Sequence, residues 1–107
     1  MGLLGVVELQ SGIVSAYTPH TPILIVGNAG FTAGNGVTGG SGTPSDPYII
    51  EGWEIGASSL TGIAIWNTDA QFIIRDVYVH SGGSRWDGIS INYAFNGAVT
   101  NATITRS

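Results

Sequence analysis

Apolar positions recur at a fixed interval along the second half of the chain. The stretch "YIIEGWEI" at residues 48–55 returns as "FIIRDVYV" at residues 72–79, and a weaker third copy follows at residues 97–104. Offsets of 24 and then 25 residues place apolar side chains in three columns: Ile50, Ile74 and Val99; Trp53, Val77 and Ala102; and Ile55, Val79 and Ile104. Self-similarity at this period is typical of repeat proteins, in which each unit buries its apolar face against the next.

A second repeated piece lies between these copies. "GIAIWN" at residues 62–67 matches "GISINY" at residues 88–93 with an offset of 26. Two interleaved repeats of nearly one period are hard to attribute to chance. They predict a chain built from repeated short strands.

The middle of each longer copy carries a residue suited to a sharp bend. In "FIIRDVYVH" the apolar positions alternate on both sides of Asp76, which predicts two short strands separated by a one-residue corner. Gly52 and Asn101 hold the equivalent positions in the neighbouring copies. Because Gly, Asp and Asn tolerate left-handed backbone conformations, this column is predicted to form a corner of the fold.

These features predict an all-β chain folded as a parallel β-helix, a solenoid of about two to three rungs with an N-terminal capping strand. Rungs stacked about 4.8 Å apart place each column position over its equivalent, so that aliphatic side chains pack on one another. The outward column predicts a cross-rung ion pair between Glu51 and Arg75. If exposed, such a pair contributes only about 0–1 kcal/mol to stability.

The chain divides into three predicted segments. Residues 48–107 form the rungs. Residues 17–47 form an N-terminal cap and a Gly-rich connection, with a strand at residues 23–26 laid across the end of the first rung. Residues 1–16 have two interpretations, a remnant of a signal peptide or an apolar edge strand that is donated to another copy.

Composition and charge narrow the classes of partner. The chain has a net charge of −4 and no Lys, and its three Arg residues lie far apart, so nucleic acid is not an expected partner. The absence of Cys excludes disulfides and thiolate metal sites. The apolar N-terminal stretch is too short and too polar to span a bilayer as a helix. A sequence rich in Ser, Thr, Asn and Gly favours an extracellular or cell-surface location.

The segments "GNAGFTAGNGVTGGSGTPSDPYIIEGWEI" and "GIAIWNTDAQFIIRDVYVH" carry a resemblance to known proteins. They resemble the N-terminal part of secreted archaeal and bacterial right-handed parallel β-helix proteins. These include surface-layer-associated proteins and relatives of the periplasmic copper-processing protein of nitrous-oxide reductase maturation. The resemblance implies that fold and an exported location, but activities differ widely among such proteins, so it implies no single function.

Acidic and imidazole side chains offer little sign of catalysis or of metal binding. Asp69, Asp76 and Asp87 are not arranged in paired spacings, and each of the first two fits a turn or a corner. His20 and His80 are isolated, without the spacing of a metal site. We therefore predict no catalytic residue, no metal site and no cofactor, and the sequence favours a non-enzymatic role.

Aromatic residues are the best candidates for ligand contacts. Trp86 and Tyr93 are the two side chains that we predict to stack on sugar rings, since Trp86 lies in a variable loop and Tyr93 follows a repeated strand at its turn. The same variable loop carries His80, Arg85 and Asp87, which are candidates for a recognition face because insertions in repeat proteins form loops on the binding side.

The sequence therefore predicts a structural module of the cell surface or extracellular space that assembles through open strand edges. The expected partner is a second copy of the chain, or further rungs, because an unpaired edge strand is a template for pairing. The alternative is a carbohydrate-binding or polysaccharide-cleaving module, in which glycans are the partner.

Overall fold

The computed structural model of the protein describes residues 17–57, 61–80 and 88–105. Within these ranges the chain forms nine strands and two short 3-10 turns, Asn28–Gly30 and Ala33–Asn35. The strands are β1 (Thr18–His20), β2 (Ile23–Val26), β3 (Val37–Gly39), β4 (Tyr48–Glu51), β5 (Trp53–Gly56), β6 (Ile63–Thr68), β7 (Phe72–His80), β8 (Ile89–Ala94) and β9 (Gly97–Thr105). Residues 1–16 lie outside the described part, so both interpretations of that segment stay predictions.

The strands form two sheets, and β7 is the centre of the larger one. β4 and β5 pair in parallel with successive halves of β7, and β9 pairs in parallel with its whole length. β1 and β3 extend this sheet beyond β5 and β4. The second sheet consists of β2, β6 and β8 in that order, all parallel.

The predicted columns are confirmed by the strand register. Ile50 lies opposite Ile74, which lies opposite Val99. Ile55, Val79 and Ile104 are aligned in the same way. The second repeat is also in register, because Ile63 pairs with Ile89 and Ile65 with Ile91. The repeat in the sequence therefore encodes which residues face each other across neighbouring strands. The ion pair of the outward column is present too, with Arg75 Nε 2.5 Å from Glu51 Oε1.

The predicted corner is confirmed by the backbone angles. Asp76 and Asn101 adopt left-handed conformations with φ of 52° and 49°, and Gly52 has a φ of 82°. The Asn101 side-chain amide donates a hydrogen bond of 2.5 Å to Asp76 Oδ1, and the Gly52 N–H donates to the Asp76 carbonyl oxygen at 2.9 Å. The three corners therefore lie side by side and are joined by hydrogen bonds.

The predicted right-handed parallel β-helix is wrong. The strands curl into a half-barrel that contains both parallel and antiparallel pairs. A regular solenoid requires each strand to pair in parallel with its equivalent in the next turn. β3 breaks that rule, because it runs antiparallel to β4 along the edge that β4 does not share with β7.

Glycines allow the chain to reverse between β3 and β4. Gly40 and Gly42 have φ angles of 92° and 86°, and an antiparallel bridge between Thr43 and Asp46 closes the turn. At Gly40 a Cβ atom would lie 1.8 Å from the Pro47 carbonyl oxygen, so no side chain fits. A segment that the sequence predicts as a connection therefore folds back and covers β4.

β2 forms where the sequence predicts a strand, but it does not lie across an end of the fold. It pairs in parallel with β6, with Ile23 opposite Ile63 and Ile25 opposite Ile65. The capping arrangement predicted for this strand is therefore wrong. The side chains of β2 alternate as expected for a sheet with one buried face, because Ile25 is fully buried whereas Leu24 is 55% exposed.

The core lies between the two sheets and consists mainly of aliphatic side chains. Gly62 and Gly88, which open the two copies of the second repeat, face this core. A Cβ atom on Gly62 would lie 2.4 Å from Val79 Cγ1, and one on Gly88 would lie 2.5 Å from Ile104 Cγ2. The recurring Gly-Ile pair thus reflects close packing of one sheet on the other.

We expect Ile25→Ala to lower the free energy of unfolding by about 2–5 kcal/mol, because it leaves a cavity between the sheets. Leu24→Ala, next to it on the solvent face, should change the free energy by no more than about 0.5 kcal/mol. Urea denaturation followed by tryptophan fluorescence measures both. Equal losses for the two variants would contradict the described orientation of β2.

Candidate functional site

The structure places only two of the five predicted contact residues. Trp86, Arg85 and Asp87 lie outside the described residues. Tyr93 is in β8 and His80 ends β7, so they belong to different sheets.

His80 belongs to a polar and aromatic surface of the larger sheet. Its Nε2 lies 3.3 Å from Glu54 Oε2, and its ring centroid lies 5.3 Å from that of Tyr78. Tyr78 in turn lies 6.0 Å from Tyr17. These contacts link neighbouring strands across an open surface, and His80 does not line the cleft described next.

A cleft opens where the parallel strands of the second sheet end. The carboxyl ends of these parallel strands meet at one edge of the sheet. Here the residues that follow or end β2, β6 and β8 surround an open space of about 560 Å³. The space is shallow and open to solvent rather than enclosed. The cleft is lined by Asn28, Asn67, Thr68, Asp69, Tyr93 and Phe95.

A second pair of left-handed corners forms part of this cleft. Asn67 and Tyr93 have φ angles of 60° and 54°, and they hold equivalent positions in the second repeat. The offset of 26 residues predicts that the two align, but the sequence gives no sign that both bend. Asn tolerates this conformation, whereas for a bulky residue such as Tyr it costs about 1–2 kcal/mol.

Hydrogen bonds fix the polar wall of the cleft. The Asn28 side-chain amide donates to Asp69 Oδ1 at 2.8 Å, and the Asn28 side-chain oxygen accepts a bond from the Thr68 hydroxyl. Thr68 is 7% exposed, and its oxygen also accepts from the Ala70 N–H at 3.1 Å. Asn96 donates to the Asp69 carbonyl oxygen at 2.9 Å. These bonds join the turn after β2, the end of β6 and the segment after β8.

Two exposed aromatic rings form the apolar wall. Tyr93 is 75% exposed and Phe95 is 85% exposed. Aromatic rings of this size usually gain free energy from burial in a core, and these two rings do not. The cleft therefore combines apolar ring faces with the amide and carboxylate groups of Asn67 and Asp69.

Charges in the cleft limit the chemistry that it can perform. Asp69 is the one charged residue among the six that line it. Asp69 accepts a hydrogen bond from Asn28, and Asp76, outside the cleft, accepts one from Asn101. In the described part of the chain no group of three or more His, Asp or Glu side chains could hold a metal ion.

A second surface of the molecule is the end layer, residues 89–105, which comprises β8 and β9. Among the described strands, β8 pairs with β6 alone and β9 with β7 alone. Val99 and Ile104 continue the columns of the fully buried Ile74 and Val79, yet they are 41% and 48% exposed. No residue of the end layer is charged. The apolar columns of the core therefore reach solvent at this layer.

Comparisons with protein-family models, with curated proteins and with solved structures found no match. The resemblance to exported β-helix proteins therefore stays a prediction. Within residues 17–57, 61–80 and 88–105, no helix has the length and hydropathy needed to cross a membrane.

We expect Thr68→Val to lower the free energy of unfolding by about 1–3 kcal/mol, because it leaves the buried Ala70 N–H without its partner and removes one of the two hydrogen bonds that the Asn28 oxygen accepts. Thr100→Val, on the exposed face of β9, is the matched control and should have little effect. Chemical denaturation compares the two. A Thr68 variant as stable as the control would contradict the hydrogen-bond network of the cleft.

Proposed function

We propose that this protein is a structural module that associates with a second copy of itself through the end layer. The observation that carries the proposal is β9, a nine-residue edge strand with no charged residue. Natural edge strands are usually protected against pairing by charges, by Pro or by bulges. β9 contains no Pro and no charge, and it pairs with β7 along its length without a shift in register.

Exposed aliphatic side chains support the same surface. Val99 and Ile104 extend the core columns that contain Ile74 and Val79. Ile91 of β8 is 36% exposed in the same layer. Burial of a whole aliphatic side chain is worth about 1.5–3 kcal/mol, and these partly exposed residues contribute a fraction of that each. A two-fold contact uses every residue twice, so modest contributions add up.

Charge distribution supports a second copy as the partner. The chain has a net charge of −4, and copies that meet through charged surfaces repel each other. The end layer lacks charge altogether, so repulsion is weakest there. An uncharged, partly apolar surface that meets an identical surface gives a closed dimer with two-fold symmetry.

A location outside the cell or on its surface is part of the proposal. It is supported by the composition, which is low in charged residues at 9% and rich in Gly, Ser, Thr and Asn. A structural role outside the cell suits a β-rich chain that offers an association surface. Detection of the native protein by surface labelling of intact cells tests this part.

We expect Val99→Lys and Ile104→Lys to convert a dimer into a monomer of 11.0 kDa, because each places two like charges at the two-fold contact. The dimer dissociation constant should rise at least about tenfold for either variant. Sedimentation velocity over a range of concentrations measures this.

Leu24→Lys is the matched control, since Leu24 is similarly exposed but lies on β2 at the other edge of the second sheet. This variant should associate like the parent chain. A parent chain that stays monomeric at all concentrations would contradict the proposal. Unchanged association of both the Val99→Lys and the Ile104→Lys variants would contradict it too.

A further inference from the structure

We infer that the cleft at the ends of β2, β6 and β8 is a binding site for neutral carbohydrate, in which the Tyr93 ring stacks on the face of a sugar. This site goes beyond the proposed structural role. Its walls come from residues that end or follow β2, β6 and β8. Tyr93 and Phe95 belong to the end layer, but Val99 and Ile104 of β9 do not line the cleft.

The strain at Tyr93 is the first observation that carries the inference. A Tyr at a φ of 54° is unusual, whereas the equivalent corner of β6 holds Asn67, a residue that accepts this conformation. Residues held in such conformations cluster at binding sites, where the rest of the fold maintains them. Stability alone does not explain a strained Tyr, because its ring is 75% exposed and adds little to the core.

The arrangement of the ring beside polar groups is the second observation. Tyr93 lines the same cleft as Asn67 and Asp69. A sugar presents an apolar face of C–H groups and a rim of hydroxyls that donate and accept hydrogen bonds. An exposed ring with amide and carboxylate groups nearby matches both parts, because the ring contacts the face while the polar groups bind hydroxyls.

The polar groups are arranged for a ligand before it binds. Asn28 holds Asp69 Oδ1 in place at 2.8 Å, which fixes the direction of the carboxylate. The Asn67 side chain is exposed and makes no hydrogen bond to the rest of the described chain. Fixing Asp69 in advance reduces the entropy lost on binding, while Asn67 supplies both a donor and an acceptor.

The charge of the cleft selects the class of sugar. None of the six lining residues is a cation, and Asp69 contributes a negative charge. Uronic acids, sulfated sugars and phosphates would meet repulsion without a compensating Arg or Lys. The ligand class is therefore an oligosaccharide of neutral sugars.

The test is calorimetric titration of the full chain with cellopentaose, mannopentaose and chitopentaose as neutral probes and pentagalacturonate as the acidic probe. We expect at least one neutral probe to bind, and Tyr93→Asn to weaken that binding at least about tenfold. The Asn variant carries the residue found at the equivalent corner, so it should fold and be at least as stable as the parent chain. Tyr78→Asn, on the other sheet, is the matched control and should bind like the parent.

Three results would overturn the inference. They are no heat from any neutral probe up to about 10 mM, binding that survives Tyr93→Asn, and tighter binding of the acidic probe. The structural proposal is tested separately on the same samples, because Val99→Lys should lose self-association and keep the sugar site. Loss of sugar binding in Tyr93→Asn with an unchanged dimer would therefore assign the effect to the cleft.

Discussion

The parallel pairing of β7 with strands on both of its edges is the constraint on which the rest of the structure depends. Ile74, Val77 and Val79 of β7 are completely buried, and they pack between strands that repeat their pattern. Because successive side chains of a strand point to opposite faces, a shift of one residue in either pairing would expose this whole set. The corner at Asp76 prevents such a shift, since its left-handed backbone must lie beside Gly52 and Asn101.

The repeats in the sequence predict this register well, but they do not predict how β3 pairs with β4. The offsets between copies give the partners of Ile74 and Val79 because residues in one column have the same environment. The same offsets carry no information about β3, which has its own sequence and pairs antiparallel with β4. Its pairing depends on the chain reversal at Gly40, where the Pro47 carbonyl oxygen lies too close for any residue with a Cβ atom. The prediction of a regular solenoid fails at that step, although its columns and corners are present.

The cleft could be predicted only in part, for a related reason. Tyr93 is identifiable as an aromatic residue after a repeated strand, but its strained conformation and exposure are not visible in the sequence. Asn28 and Asp69 are 41 residues apart, and only the alignment of strand ends brings them together. Residues of one cleft that come from different strands follow from the topology, so a pattern within one strand cannot reveal them. Trp86, the other predicted contact, lies outside the described residues.

Two surfaces of this small β fold have proposed partners, the outer edge of β9 for a second copy and the cleft at the ends of β2, β6 and β8 for a sugar. The central claim is that the outer edge of β9 is an association surface. Hydrogen–deuterium exchange at increasing protein concentration tests it most directly. We expect amides at residues 98–104 to become protected as concentration rises while those of β7 are protected throughout, because β9 gains a partner strand and β7 already has one on each edge. Exchange of β9 that does not depend on concentration would contradict the claim.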